Sequence, residues 1–232
     1  MMITVIIPTF NEATRLPATL RQIEMFCAEN PHMISDIWII DDGSIDGTVE
    51  AAMKFRNKLP LKFHVCPKNV GKWNAISIGI QKSFGWIVLL DADGAASIWE
   101  LKKASLDCGT ASFGTRFGPG AIVSGKSMLR TIVSIGYYVY VDTLYTLFSK
   151  RWYRIRDFQC PFKLFNKKDL KGDIQSQRFA GDIELAMRLD VKKLNNVPMD
   201  FTHVRGGAIR PGTMWEMLLE TPKIAWQTRR SQ

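Results

Sequence analysis

The chain has 232 residues, of which 46% are hydrophobic and 23% charged, so it can bury a full core and is not a disordered protein. Its formal net charge is +9, and residues 112–170 carry 10 Lys and Arg against 3 Asp and Glu. This basic segment either lies on a solvated surface or contacts an anionic partner: phosphates, a lipid surface or a nucleic acid.

Cysteine usage and hydropathy indicate the compartment. The four cysteines are far apart and lack metal-type spacing, which favours a reducing compartment over a disulfide framework. The sequence shows no signal-type segment and no stretch of about 18 uncharged apolar residues. We therefore expect a cytoplasmic protein that is at most peripheral on the cytoplasmic face of a membrane.

Short apolar runs alternate with amphipathic helical patterns in the first half of the chain. Strands are predicted at Ile3–Pro8, Ile37–Ile40, Leu61–Cys66, Trp86–Leu90 and Ala111–Thr115. Helices are predicted at Ala13–Glu29, Thr48–Asn57, Lys72–Ser83 and Ser97–Asp107. Such alternation is typical of an α/β fold with a mostly parallel central sheet and helices on both faces.

The second half of the chain is less regular. Beyond a glycine-rich loop at 114–125, we predict in order a long helix at about 126–150, a strand at Gln159–Phe165, a helix at Phe179–Asp190 and a last helix from Pro211. We interpret 1–232 as one domain with a shared core, made of a half at 1–116 and a half at 117–232.

Two carboxylates directly follow the most apolar strand. Asp91 and Asp93 come one residue apart after the run Trp86–Leu90, which indicates a strand buried on both faces. The carboxyl end of such a strand is where open α/β sheets bind ligands. Two carboxylates this close suit Mg²⁺ or Mn²⁺, which usually bridges to substrate phosphates. The alternative is a solvated loop at the end of a strand.

Polar residues also follow the first two strands and open the third helix. Asn11 or Thr9 could cap the first helix, with Glu12 in its favourable first turn. Helix capping does not explain Asp41 and Asp42 directly after a buried strand. The string Asn69–Lys72 opens a helix with a glycine that permits close approach and a lysine that suits a phosphate. We expect these segments to converge at one edge of the sheet.

Together these residues indicate a site for a nucleotide diphosphate with its metal ion. Phe10 can stack on a base, and Asp41 can accept a hydrogen bond from a base N–H. The chain lacks G-x-G-x-x-G and G-x-x-x-x-G-K-[ST], which argues against a dinucleotide fold and a P-loop ATPase. Nearby aspartates would repel a diphosphate by about 1 to 4 kcal/mol per close pair, so the site needs a divalent ion.

Four strings occur in the order and spacing of a known family: Ile6–Glu12, Asp41–Thr48, Asn69–Lys72 and Asp91–Ala95. On these strings the chain resembles the family-2 glycosyltransferases of the GT-A fold. Within that family it is most similar to the dolichyl-phosphate (polyprenyl-phosphate) β-glucosyltransferases and the dolichyl-phosphate mannose synthases. The likeness continues in the second half, through Gly114–Arg116, Asp157–Phe165 and Phe179–Leu185.

The resemblance implies a nucleotide-sugar site and an acceptor site. It assigns the base and ribose to Pro8, Phe10, Glu12 and Asp41, the vicinity of the base or diphosphate to Lys72, and the metal-bound diphosphate to Asp91 and Asp93. It assigns the acceptor phosphate to Arg116 and Arg130, and the surroundings of acceptor and donor sugar to Gln159 and Asp182. The implied cofactor is Mg²⁺ or Mn²⁺, and the implied donor is UDP-glucose, weakly favoured, or GDP-mannose.

One position departs from the family pattern. Relatives carry a Gly-Ser-Lys string near the end of the catalytic domain, where this chain has Gly206, Gly207 and Ala208. Arg205 or Arg210 could replace the missing lysine.

The implied reaction is inverting transfer of a hexose to a polyprenyl phosphate. A phosphomonoester has a second pKa of about 6, so its oxygen arrives ionised and needs cations rather than a base. A sugar or protein hydroxyl, as in polysaccharide or glycoprotein synthesis, would need a base, for which Asp182 is the candidate. Both acceptors stay open at this point. A nucleic-acid partner is not expected, because it would leave the aspartates at the strand ends without a purpose.

The predicted long helix also bears on the acceptor. Between Leu129 and Phe148 it is mostly apolar with four tyrosines, and Arg130 and the cluster Lys150–Arg156 flank it. A core helix or a dimer contact would explain the apolar residues, whereas an interfacial helix beside a prenyl chain would also explain the basic flanks. A membrane surface is therefore an expected partner.

Overall fold

The computed structural model describes residues 2–124, 128–148, 155–176, 180–202 and 211–230. Its strands are β1 (Ile3–Thr9), β2 (Ile34–Asp41), β3 (Leu61–Val65), β4 (Trp86–Leu89), β5 (Thr110–Thr115), β6 (Ile122–Ser124), β7 (Lys163–Asn166), β8 (Lys193–Pro198) and β9 (Asp200–Thr202). Its helices are α1 (Leu16–Glu29), α2 (Thr48–Met53), α3 (Lys72–Lys82), α4 (Met128–Phe148), α5 (Gly181–Arg188) and α6 (Pro211–Arg230). Short 3₁₀ helices occupy Ile98–Lys103 and Lys167–Asp169.

Seven strands form one sheet in the order β3-β2-β1-β4-β7-β5-β8, and β6 pairs with β9 in a separate small sheet. Neighbours in the large sheet are parallel except where β7 runs antiparallel between β4 and β5. Strands β7 and β8 come from the second half of the chain, so both halves build the same sheet. The predicted α/β fold with a mostly parallel sheet is confirmed.

Buried apolar side chains of β1 point alternately to the two faces of the sheet, which explains why helices cover both faces. Ile3, Val5 and Ile7 belong to one core cluster together with the apolar residues of α1. Ile6 belongs to a second cluster on the opposite face, together with residues of α3 and α5. All four residues of β4 are buried, as expected for a strand in the middle of a doubly covered sheet.

Some predicted elements have different bounds in the structure. The strand predicted at Gln159–Phe165 begins at Lys163, because Pro161 has no N–H to donate within the interior of a sheet. The helix predicted at Ser97–Asp107 is the 3₁₀ helix at Ile98–Lys103. The helix predicted from Phe179 begins at Gly181 in the structure, and Phe179 itself lies outside the described residues.

Helices α4 and α6 pack against each other. The Tyr140 hydroxyl donates to the Leu218 carbonyl oxygen at 2.7 Å, and the rings of Phe148 and Trp226 meet edge to face with centroids 6.2 Å apart. Large apolar side chains remain exposed on the two helices: Ile135, Val139 and Leu147 on α4, and Leu219 and Trp226 on α6. Within the described ranges, no helix is long and apolar enough to cross a membrane.

Gly79 sets how closely α3 approaches the sheet. A Cβ added at this position would lie 2.6 Å from Cγ2 of Ile6 and 3.3 Å from Cγ1 of Ile40, both of which are fully buried. A real Cβ atom does not tolerate the shorter contact, so α3 would have to move away from β1. By contrast, a Cβ at Gly136 on α4 would meet nothing within 4 Å.

We predict that Gly79→Ala lowers the free energy of unfolding by about 1–3 kcal/mol, because overpacking a tight core forces the backbone to shift. Gly136→Ala is the matched control, and it should raise the free energy of unfolding by about 0.5–1 kcal/mol, because alanine is the better helix former. Urea denaturation of both variants measures the difference. Equal effects of the two substitutions would contradict the packing of α3 described here.

Candidate active site

The carboxyl ends of β1, β2 and β4 and the start of α3 enclose a pocket of about 280 Å³. It is lined by Pro8, Thr9, Phe10, Glu12, Asp42, Asn69, Gly71, Lys72, Asp91, Ala92 and Asp93. This is the edge at which the sequence predicts a nucleotide diphosphate. Of the predicted donor residues, Asp41 and Gln159 do not line the pocket. A larger cavity of about 440 Å³ lies between α1 and α2, away from these strand ends.

The loops that follow β1 and β2 are joined by hydrogen bonds. The Asn11 N–H donates to the Ser44 hydroxyl at 2.9 Å, and the Ile45 N–H donates to the Asn11 side chain at 3.0 Å. The Ala13 N–H donates to Asp46 at 3.0 Å. Asn11 therefore connects the two loops and does not cap α1, which has no side-chain cap at its start. This connection holds the mouth of the pocket in a defined shape.

The two adjacent aspartates after β2 have different environments. Asp41 is almost fully buried and accepts hydrogen bonds from the Thr9 hydroxyl and from the N–H and hydroxyl of Ser44. Asp42 lines the pocket and accepts from the N–H groups of Val70 and Gly71 at 2.6 and 3.0 Å. Asp41 thus supports the pocket from beneath, while Asp42 fixes the loop that leads into α3.

Oppositely charged groups meet inside the pocket. The Lys72 ammonium lies 2.7 Å from Oδ1 of Asp91, and Asp93 accepts a hydrogen bond from the Ala95 N–H at 3.0 Å. Burial lowers the pKa of Lys72, but Asp91 and Asp182 outweigh burial and raise it above its ordinary value. The lysine therefore stays charged where an anionic ligand would bind.

Glu12 lines the same pocket as Asp91 and Asp93. Its Oε1 accepts from the Arg15 guanidinium at 2.6 Å, whereas its Oε2 is buried without a hydrogen-bond partner among the residues described. Burial raises the pKa of Glu12 despite Arg15, and the charge of Asp93 adds to the increase. Glu12 therefore lines the pocket as a residue whose carboxylate is partly paired and partly buried.

A second cluster surrounds the predicted acceptor residue Arg116. Its guanidinium makes two hydrogen bonds to the buried carboxylate of Asp157, at 2.6 and 2.9 Å. Burial lowers the pKa of Arg116, but the Asp157 hydrogen bonds and charge raise it above its ordinary value. A cleft between this pair and α4 is lined by aromatic side chains and by Gln159. Cationic and aromatic groups thus occur side by side.

Asp182 lies between the two clusters at the start of α5. Its Oδ1 accepts from the Lys163 ammonium at 2.6 Å, and its Oδ2 accepts from the Trp73 indole N–H at 3.3 Å. Its charge acts on Lys72 on one side and on Arg116 on the other. Asp182 is therefore electrostatically linked to both the strand-end pocket and the Arg116 cluster.

Lys163 is a member of this site that reasoning from single residues missed. Its signal in the sequence is a lysine inside an apolar strand, between Phe162 and Leu164. Other predicted residues fall beyond what the structure describes. The side chain of Arg130 and the whole of Arg205 and Arg210 lie outside the described residues.

A family model described as glycosyl transferase family 2 matches residues 4–104. A dolichyl-phosphate beta-glucosyltransferase of Trichomonas vaginalis is 30% identical over 244 residues, covering 96% of this chain and 72% of that protein. A dolichyl-phosphate beta-glucosyltransferase of Dictyostelium discoideum is 28% identical over 235 residues, covering 90% of this chain and 69% of that protein. The chain belongs to family 2 of the glycosyltransferases.

Solved structures support the fold. Glucosyl-3-phosphoglycerate synthase from Mycobacterium tuberculosis, in complex with Mn²⁺, uridine diphosphate and phosphoglyceric acid, aligns with a TM-score of 0.64. The two proteins are 14% identical, and the alignment covers 98% of this chain and 78% of that one. The expected GT-A fold and the resemblance to family-2 glycosyltransferases are therefore both confirmed.

Asp42 offers a test of how the pocket is built. We predict that Asp42→Asn lowers the free energy of unfolding by about 1–3 kcal/mol, because the amide would turn an N–H toward one of the two backbone N–H donors it now accepts from. The matched control is Asp36→Asn, which breaks a partly exposed ion pair with Lys62 and should cost less than about 1 kcal/mol. Urea denaturation compares them, and equal losses would contradict the role of Asp42.

Proposed function

We propose that this chain transfers a hexose, with inversion, from a nucleotide diphosphate sugar to a polyprenyl phosphate of the dolichyl type. The observation that carries the proposal is that dolichyl-phosphate beta-glucosyltransferases match 90% and 96% of the chain, well beyond the segment matched by the family model. The same names favour UDP-glucose over GDP-mannose as the donor. The whole chain then acts as one domain, with the donor held by residues 1–116 and the acceptor by residues 117–232.

The donor pocket supports this assignment. Phe10 is 46% exposed at the mouth of the pocket, where its ring can stack on the base. Pro8 and Glu12 line the ribose end, and Asp41 supports them from beneath through Thr9. The Lys72 ammonium is positioned to contact the diphosphate.

A divalent ion fits the carboxylates of this pocket. Asp91 and Asp93 supply oxygen ligands, and Mg²⁺ or Mn²⁺ is commonly bound by one or two carboxylates together with substrate phosphates. Within the part of the chain that the structure describes, no three His, Cys, Asp or Glu side chains cluster as metal ligands. Phosphate oxygens of the donor and water would complete the coordination of an ion on Asp91 and Asp93. When bound, the ion stabilises the charge that develops on the leaving diphosphate.

The acceptor side supports a lipid phosphate. Arg116 is held by Asp157 beside an aromatic cleft, which Gln159 also lines. The family resemblance, rather than the structure, adds Arg130 to the proposed phosphate site. The exposed apolar side chains of α4 and α6 form a surface that can rest on a membrane. We assign the reaction to the cytoplasmic face as part of the proposal. An ionised phosphate oxygen, oriented by the arginines, attacks the anomeric carbon as the bond from that carbon to the diphosphate oxygen breaks and the nucleoside diphosphate leaves.

The test is release of nucleoside diphosphate from UDP- and GDP-sugars with Mn²⁺ or Mg²⁺, with and without a short polyprenyl phosphate. The proposal predicts that UDP-glucose is consumed only when both the metal and the lipid phosphate are present. Turnover that ignores the lipid phosphate but responds to a sugar hydroxyl would overturn the proposed acceptor.

Arg116→Lys tests the acceptor site separately from the donor site. Lysine keeps the positive charge beside Asp157 but cannot make the bidentate hydrogen bonds of a guanidinium. We predict that the KM for polyprenyl phosphate rises about tenfold or more, as for loss of a hydrogen bond to a charged group. UDP-glucose affinity, measured by calorimetry, should stay unchanged. Arg56→Lys on the surface is the matched control. Equal weakening of donor and acceptor would contradict the assignment of Arg116.

A further inference from the structure

Lys163 is buried in the middle of the large sheet. Only 1% of its surface is exposed, and its strand β7 lies between β4 and β5. Lysine is almost never fully buried unless it is paired. Its ammonium donates to the Cys160 carbonyl oxygen at 2.6 Å and to Asp182 at 2.6 Å, and it lies 5.7 Å from the centre of the Phe113 ring. The sheet thus carries a buried positive charge directed at one carboxylate.

Asp182 is held from a second side by α3. The Trp73 indole N–H donates to Oδ2, while Lys163 donates to Oδ1, so both carboxylate oxygens have buried donors. Gly181 allows this approach, because a Cβ there would lie 2.2 Å from the Trp73 ring. The carboxylate therefore has a fixed position and orientation.

We propose that Lys163 is a positioning residue of the transfer reaction, which fixes Asp182 as a hydrogen-bond acceptor between the donor sugar and the acceptor phosphate. The inference rests on the proposed function and deepens it. Lys163 also offsets the charge of Asp182 toward two anionic substrates, because a carboxylate without a counter-charge would repel both.

The pairing argues against Asp182 as the base of the reaction. Uptake of a proton would break the ion pair and leave the Lys163 ammonium buried without a counter-charge. A hydroxyl acceptor needs a group that takes its proton, whereas a phosphate oxygen arrives ionised. The Lys163–Asp182 pair therefore fits a phosphate acceptor and leaves Asp182 to orient substrate.

The test is a double-mutant cycle of Lys163→Met, Asp182→Asn and the double variant. kcat and the KM values for UDP-glucose and a short polyprenyl phosphate are measured for each. If Lys163 acts through Asp182, Lys163→Met raises the KM for the lipid phosphate, and the double variant is within about threefold of Asp182→Asn in kcat/KM. The proposal would be overturned if the kcat/KM of the double variant fell by the product of the two single losses. It would also be overturned if Lys163→Met had wild-type KM and kcat.

The kinetics of Asp182→Asn separate positioning from base catalysis. Positioning predicts that the loss falls largely on the KM values. Loss of a base predicts that kcat alone falls about a hundredfold or more with both KM values unchanged, and this result would also overturn the proposal.

Trp73→Phe keeps the test available if Lys163→Met does not fold. It removes the indole donor to Asp182 and retains a ring against Gly181. We expect a raised KM for the lipid phosphate, together with the lower melting temperature that a smaller buried side chain causes. A melting temperature that falls without any change in KM would contradict the proposal. Trp99→Phe, whose ring packs on Phe26 away from the site, is the matched control.

Failure of the proposed function can be distinguished from failure of the role of Lys163 by measuring the wild-type enzyme. If wild type shows no turnover that depends on lipid phosphate, the same cycle is measured by calorimetry of UDP-glucose binding. The Lys163–Asp182 pair predicts non-additive losses of affinity there as well, and additive losses would overturn it.

Discussion

The structure depends on balancing the negative charge that β4 and α5 bring to one edge of the sheet. Asp91 and Asp182 each have an ammonium group close by, Lys72 at 2.7 Å and Lys163 at 2.6 Å. Lys72 opens α3 in the first half of the chain, whereas Lys163 lies in β7 of the second half. Trp73 on α3 also donates a hydrogen bond to Asp182. This bond joins the first half of the chain to the second. Under the proposed function, the charge balance lets an anionic donor and an anionic acceptor approach these carboxylates.

Most of the first half could be predicted from its sequence, because buried parallel strands are continuous apolar runs and the covering helices are amphipathic. The place of β7 could not be predicted. Its antiparallel pairing between β4 and β5 is decided by contacts between segments far apart in the chain. Strand β8 is the edge strand of the sheet, and its residues are mostly only partly buried. It therefore carries the polar residues Asn195 and Asn196, and its sequence lacks the apolar pattern of a buried strand.

In the candidate site, too, some residues could be placed from the sequence and others could not. Asp91, Asp93 and Lys72 could be placed at one sheet edge, because a parallel topology brings strand ends and helix starts together. The roles of other residues depend on partners that composition does not reveal. Asp41 is predicted to accept from a base, yet its oxygens accept from Thr9 and Ser44. The burial of Lys163 follows from the position of β7, which no local pattern indicates.

A structure of the protein with UDP-glucose and Mn²⁺ would show directly whether the charge-balanced strand ends form the donor site. We expect the diphosphate between Lys72 and an ion on Asp91 and Asp93, with the Lys163–Asp182 pair intact beside the sugar. A nucleotide bound in the cavity between α1 and α2, or a Lys163–Asp182 pair broken by the sugar, would contradict it.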